Sequence, residues 1–247
     1  MIKGTEIVKY LKLTTLVFLM TFPLAFAQQQ QSPWHTPDKH LEWELSFFAG
    51  ASFAGDKSGA TPVQGQENEF WLVKLDYTSG FLAGLRLTQN INERLGAELD
   101  YTFSNQPLAF VDIKPALSRF DVEHSIHTFQ YSILVYGLKS SSRFRPYGQF
   151  GGGTQLFYIS GNSKNEGLVK GLTLKENWKF AVNFGGGAKY LVGKNWGFRF
   201  DVRDVISGVP DYGLPHTTSV HKPGFRPDGM LHNWQVNAGF FFSWEKF

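Results

Sequence analysis

His232-Asn233-Trp234-Gln235-Val236-Asn237-Ala238-Gly239-Phe240-Phe241-Phe242-Ser243-Trp244 places an aromatic or aliphatic side chain at nearly every second position. Trp234, Val236, Ala238, Phe240, Phe242 and Trp244 share one parity; Asn233, Gln235, Asn237 and Gly239 share the other, with Phe241 the exception. A period of two is a β-strand with two unlike faces. The sequence ends three residues later, at Phe247.

Seven earlier segments carry the same alternation. Leu41 to Phe53 sets Trp43, Leu45 and Phe47 against Glu42, Glu44 and Ser46. Trp71 to Leu87, read as one long strand, sets Leu75, Tyr77, Phe81 and Leu85 against Lys74, Asp76 and Arg86. Leu95 to Phe103 alternates with Glu98 and Asp100, and Phe129 to Val135 with Gln130 and Ser132. In the glycine-rich segment Tyr147 to Tyr158, Phe150, Leu156 and Tyr158 form the apolar face. Trp178 to Tyr190 alternates with Lys179 and Lys189, and Trp196 to Val202 with Arg199, Asp201 and Arg203.

The connections between these eight strands alternate in length. Gln89 to Arg94, Lys139 to Phe144 and Gly193 to Asn195 are short; Ala54 to Glu69, Ser104 to Ser125, Ile159 to Asn177 and Ser207 to Met230 are long. Short turns on one side and long loops on the other are the asymmetry of a transmembrane barrel, with both termini on the periplasmic side.

The front of the chain fits export. Lys3, Lys9 and Lys12 precede an apolar stretch from Leu13 to Leu24, and Ala25-Phe26-Ala27 reads as a cleavage site bounded by Ala25 and Ala27. The apolar stretch is about a dozen residues, short of the roughly 20 a spanning helix needs. Residues 1–27 are therefore expected to be a signal peptide, 28–40 a flexible periplasmic tail and 41–247 the barrel domain. No cysteine follows the cleavage site, so no lipid anchor is expected there.

Of the 247 residues, 16% are aromatic and 26 are glycine, as aromatic belts and close strand packing would use. The formal charge is +3, but the leader holds three Lys and one Glu, leaving +1. A nucleic-acid partner is not expected. No stretch after Ala27 has about 18 uncharged apolar residues. In lipid only helices and closed barrels satisfy their backbone groups, so any span must be a closed barrel.

A soluble barrel would turn its apolar face inward, a membrane barrel outward. Trp43, Trp196, Trp234 and Trp244 near strand ends suit interface girdles. The other face mixes small residues with charges of both signs. The expectation is an eight-stranded, antiparallel, transmembrane up-and-down β-barrel. Glu42, Glu44, Lys74, Asp76, Arg86, Glu98, Asp100, Lys179, Lys189, Arg199, Asp201 and Arg203 then point into a lumen that side chains fill. There they would pair with one another, because an isolated buried charge is costly.

With these residues in place, the chain resembles the small outer-membrane β-barrel domain proteins, the broad group that includes the OmpA transmembrane domain and OmpX. The resemblance covers about Leu41 to Phe247. It rests on Phe144-Arg145-Pro146-Tyr147-Gly148-Gln149-Phe150-Gly151-Gly152-Gly153, on Trp196 to Asp204, and on the closing strand. It implies a place in the bacterial outer membrane, lipid and lipopolysaccharide as surroundings, and insertion by the barrel assembly machinery. That machinery would read a terminal signal built from Trp234, Val236, Phe240, Phe242, Trp244 and Phe247. Relatives end on the outward aromatic; here Glu245-Lys246-Phe247 extend past Trp244. A peptidoglycan-binding domain of the OmpA kind is absent, so cell-wall anchoring is not implied.

Chemistry is thinly signalled. Some barrels of this size remodel lipid A with a Ser nucleophile, a His base and an acidic orienter. Glu123, His124, Ser125 and His127 supply the residue types but not the expected pattern. His216 and His221 lie among prolines with no third metal ligand, and His35, His40 and His232 read as interfacial or hydrogen-bonded residues. Gly151 to Gly153 and Gly185 to Gly187 have no Lys-Ser/Thr pair and suit strand curvature, not phosphate binding. Neither cofactor, metal nor catalysis is expected. A monomeric structural or surface-interaction role through four long extracellular loops remains, with Lys57, Lys164, Lys170 and Lys222 available to lipopolysaccharide phosphates. A lipid A-modifying enzyme, a narrow channel and a soluble lipocalin-like binding barrel are the alternatives.

Overall fold

The computed structural model describes residues 43–62, 70–112, 119–140, 142–169, 173–213, 226–227 and 229–244. In chain order the strands are β1 (Trp43–Ala54), β2 (Lys57–Pro62), β3 (Phe70–Tyr77), β4 (Gly80–Asn90), β5 (Leu95–Asn105), β6 (Leu108–Asp112), β7 (Arg119–Val122), β8 (His124–Tyr136) and β9 (Phe144–Ile159). A short helix, α1 (Gly161–Val169), follows. Then come β10 (Asn177–Leu191), β11 (Trp196–Gly208), β12 (Arg226–Pro227) and β13 (Met230–Trp244).

Eight strands close a barrel in the order β1-β13-β11-β10-β9-β8-β5-β4, each antiparallel to its neighbours. The closing strand lies between the first barrel strand and the seventh: Trp43 pairs with Trp244 and Trp196 with Phe242. Burial follows the alternation of the sequence. Phe47, Phe53, Phe81, Leu85, Leu99, Phe129, Phe180, Phe198, Phe200 and Phe240 stand outward and exposed, while Glu44, Arg86, Asp100, Lys189, Arg199 and Arg203 are buried. Phe150, Leu156 and Tyr158 take the outward face of β9, as expected for that glycine-rich segment. The outward face is thus apolar and the inside polar, the reverse of a soluble barrel.

The expected long second strand is broken. Thr78 and Ser79 interrupt it, and only β4 joins the barrel. β3 belongs to a second, five-stranded sheet in the order β12-β2-β3-β6-β7. Two of the long connections therefore continue upward from the barrel as hairpins that pair with each other: β3 lies against β6, with Leu75 opposite Phe110. This sheet, α1, Leu174 and the segment Val209 to Tyr212 form a folded cap at the long-loop end. Its apolar side chains, Leu75, Leu108, Phe110, Phe120, Val122 and Leu174, meet Ile126, Phe157, Ile159, Val209 and Leu231 at the barrel rim. Each face of a hairpin must bury its apolar row against something. Above the membrane band the barrel no longer has lipid to meet, so the hairpin rows turn onto one another.

Candidate functional site: a filled lumen beneath a folded cap

All eight barrel strands send side chains into the lumen network. Near the short-turn end, Lys189 on β10 donates to Glu44 on β1 and, at 2.8 Å, to the Tyr136 hydroxyl on β8. Glu44 Oε1 also accepts from Asn90 Nδ2 at 2.7 Å, and the Tyr136 hydroxyl donates to Asn90 Oδ1 at 2.8 Å. The Arg145 guanidinium stacks on the Tyr136 ring, 3.8 Å from its centroid.

Further along the axis, three arginines interleave with three carboxylates. Arg199 donates to both oxygens of Glu98 and to Asp201, and its Nε lies 2.6 Å from the Tyr147 hydroxyl. Tyr147 donates to Asp201 in turn. Arg86 reaches Asp100 Oδ2 and Asp201 Oδ2, both at 2.8 Å, and Asn237 Oδ1 at 3.2 Å. Arg203 donates to Asp100 Oδ1 at 2.9 Å, to Thr102 at 2.7 Å and to Gln235 Oε1 at 2.8 Å. Buried charges persist only when paired and hydrogen-bonded, and these are both. A tier of uncharged groups follows: Ser52 with Ser104 at 2.5 Å, Asn183 with Ser132 at 3.0 Å, Gln155 with Thr128 at 3.2 Å, and Gln106 with Asn233 at 3.2 Å.

The cap seals this end with apolar packing around one polar thread. Tyr77 and Tyr212 hydroxyls meet at 2.9 Å, Tyr212 lies 3.2 Å from His124 Nε2, and His124 Nδ1 lies 2.8 Å from the Gln106 carbonyl. A carbonyl only accepts, so Nδ1 carries the proton, Nε2 accepts, and Tyr212 donates. Burial pushes the Tyr77 and Tyr212 hydroxyls above the usual phenol range. Tyr212 holds a φ of +52°, the left-handed region that costs a non-glycine residue energy. The contacts of its ring with Phe110, His124 and Phe157 hold it there.

Of the sequence-predicted interior charges, Glu44, Arg86, Glu98, Asp100, Lys189, Arg199, Asp201 and Arg203 lie in the lumen. Lys74 and Asp76 do not: they sit on β3 in the cap sheet, where Lys74 pairs with Asp56 at 2.6 Å and Asp76 with Arg119 at 3.4 Å. The alternation of β3 matches that of β4, but the break at Thr78 and Ser79 sends it to another sheet. Lys179 is also corrected. It is at the rim, partly exposed, 3.6 Å from Asp211, and takes no part in the network. Glu42, Phe247, Ala25, Ala27, the tail 28–40, and His35, His40, His216 and His221 lie outside the described residues.

Trp234, Val236, Phe240, Phe242 and Trp244 share the outward face of β13. Phe241, the exception in the sequence, points inward and is buried beneath Lys189. The candidate nucleophile and base do not assemble. Ser125 and His127 share the outward face of β8, but His127 Nδ1 meets the Tyr101 hydroxyl at 2.9 Å, and Ser125 has no hydrogen-bond partner among the described residues. Tyr136, Tyr147 and Asn90 escaped the sequence reading as network members. Parity alone would have found them, since each neighbours an outward apolar residue or, for Asn90, ends the inward row of Arg86 and Thr88.

A closed sheet that is aromatic outside and ion-paired inside is an integral membrane β-barrel. The profile of the outer membrane protein beta-barrel domain matches residues 14–242, and the chain belongs to that family of the bacterial outer membrane. Among solved structures it is similar to the outer membrane protein OprG from Pseudomonas aeruginosa, with 16% identity and a TM-score of 0.53 over 84% of this chain and 98% of that one. It is also similar to the outer membrane protein W of Escherichia coli, with 17% identity and a TM-score of 0.39 over 84% of this chain and 100% of that one. A third similar structure is the outer membrane protease OmpT from Escherichia coli, with 9% identity and a TM-score of 0.44 over 86% and 100%. At these identities the likeness is one of fold. No curated protein matches the sequence.

Proposed function

We propose that this is a closed, non-catalytic outer-membrane barrel with a structural or surface-interaction role, working through the cap at its long-loop end. In this reading the cap faces the outside of the cell and both termini lie in the periplasm. The observation that carries it is the contrast between the two ends of one axis. The lumen is occupied by paired arginines and carboxylates of β4, β5 and β11, with polar side chains from the other five strands around them, which suits a plug and not a pore. The long connections contribute a sheet with one apolar face turned onto the barrel rim, Arg119 and Asp121 exposed and Lys74 and Asp76 half-buried. Loops held on a rigid scaffold are where recognition resides. Lipopolysaccharide surrounds such a cap, and the barrel assembly machinery inserts it. Purified protein in a planar bilayer is expected to give no steady conductance, and protease added to intact cells is expected to cut in the cap. A reproducible single-channel current, or cleavage only after the outer membrane is opened, overturns the reading.

A further inference from the structure

Among the described residues, the outward positions of the eight barrel strands carry a single charged Asp, Glu, Lys or Arg side chain, Asp204 on β11. A charged residue on a bilayer-facing wall is costly to keep and marks function. Asp204 is cross-strand from Trp234 on β13 and Phe184 on β10. It is four residues from Gly208, the long-loop end of β11, a depth on the order of 10 Å along a tilted strand.

Its partner is nearer the rim. His232, two residues into β13, places Nδ1 2.6 Å from Asp204 Oδ2. Asp204 is buried at 1% exposure, whereas the His232 side chain is 49% exposed. Among the described residues the second carboxylate oxygen, Oδ1, is buried with no partner, and His232 is the group that compensates this carboxylate. A carboxylate oxygen accepts, so Nδ1 carries a proton and the ring is fixed with Nε2 directed away from Asp204. Exposed Trp234, Met230 and Phe53 surround it. Tryptophan at this position sits at headgroup level, with apolar neighbours against acyl chains.

A fixed imidazole whose second nitrogen has no partner among the described residues, set in an amphipathic aromatic frame at the edge of the hydrocarbon, matches one kind of ligand. That ligand has an anionic oxygen at the interface and acyl chains below it. We propose that His232, oriented by Asp204, is a binding site on the outer wall of the barrel for the phosphate of a membrane lipid. The Nε2 edge of the ring forms a hydrogen bond with the phosphate group of that lipid. Asp204 does not touch the lipid; it is a positioning residue that holds the ring. This inference stands apart from the role proposed for the cap.

The test uses the full protein, purified in a phosphate-free maltoside detergent. Native mass spectrometry reads retention of lipid A, of phosphatidylglycerol or of inorganic phosphate, each added alone. Wild type is expected to retain one phosphate-bearing lipid, and His232→Gln to retain it about tenfold less tightly. Retention of lipid A places the site in the lipopolysaccharide leaflet, and retention of phosphatidylglycerol in the phospholipid leaflet. Retention of inorganic phosphate without either lipid, or equal retention by wild type and His232→Gln, overturns the proposal. Both proteins are first checked for heat-modifiable gel mobility. If His232→Gln does not fold, the wild-type protein decides alone: the ¹⁵N resonance of His232 Nε2 must move when the lipid is added. A purely structural Asp204–His232 pair would leave it unchanged.

Discussion

Phe48 occupies an inward position that β1 otherwise gives to Glu44, Ser46, Gly50 and Ser52. Its ring fits because a glycine faces it: a Cβ on Gly84 would lie 2.5 Å from Phe48 Cζ and closer still to the Tyr101 carbonyl oxygen. The Arg86 guanidinium then stacks on the ring, 3.7 Å from its centroid. A desolvated contact of this kind contributes about 2 kcal/mol. Gly84→Ala is expected to displace the ring and the Tyr101 backbone and to destabilise the barrel by about 1–3 kcal/mol, read as a lower urea midpoint in lipid vesicles. The charges around Arg86 make a sharper prediction. Arg199→Ala or Glu98→Ala alone strands a buried partner and should cost about 3–5 kcal/mol. The double variant should cost clearly less than the sum, since neither charge is left alone. Additive losses in the same unfolding measurement would mean that the two residues are not coupled. The charges themselves were legible because each sat at polar parity. Their pairing was not: Arg199 and Glu98 are 101 residues apart, and only barrel closure brings them together.

Elements differ in how much of them a period of two reveals. Each barrel strand announces itself by alternation, because one face meets lipid and the other a polar lumen. β3 alternates equally well, with Leu75 and Tyr77 against Lys74 and Asp76, yet its apolar row meets Phe110 and Tyr212 and no lipid. Alternation reports that a strand has two environments and is silent about which ones. The short Thr78-Ser79 break was the local trace of the change of sheet. Cap strands β6 and β7 are four or five residues long, too short for a period to show within a connection that reads as a polar loop. The cap also has a pH limit. Burial raises the Tyr77 and Tyr212 phenols above the ordinary value of 10.0, so the folded cap holds these protons more tightly than the unfolded chain. Its stabilisation is fully present below pH 10.0 and is lost as pH rises above it. In an absorbance titration of phenolate, the Tyr77 and Tyr212 ionisations should come late, together with the loss of near-ultraviolet circular dichroism from the cap. Tyr77→Phe should abolish one of the late ionisations. Early, independent titration of both hydroxyls would contradict the buried thread.

At the scale of the whole molecule, β13 lies between β1 and β11 and bonds to both, and Trp43 lies beside Trp244 at the same end as the short turns. A ring of strands has no intrinsic first member. A few added residues could join the two ends, and the chain could be reopened at Gly193-Lys194-Asn195, in the short turn that links β10 to β11. Such a circular permutant should refold in detergent with the same heat-modifiable mobility as the parent, since exposed termini and turns tolerate relocation. Failure to refold would show that closure depends on the order in which strands emerge. The permutant would carry Trp234, Phe240 and Phe242 in mid-sequence. If the closing strand also carries the terminal signal that the family resemblance implies, the permutant would separate two properties: the information that shapes the cylinder, and the label that says the cylinder is ready for delivery.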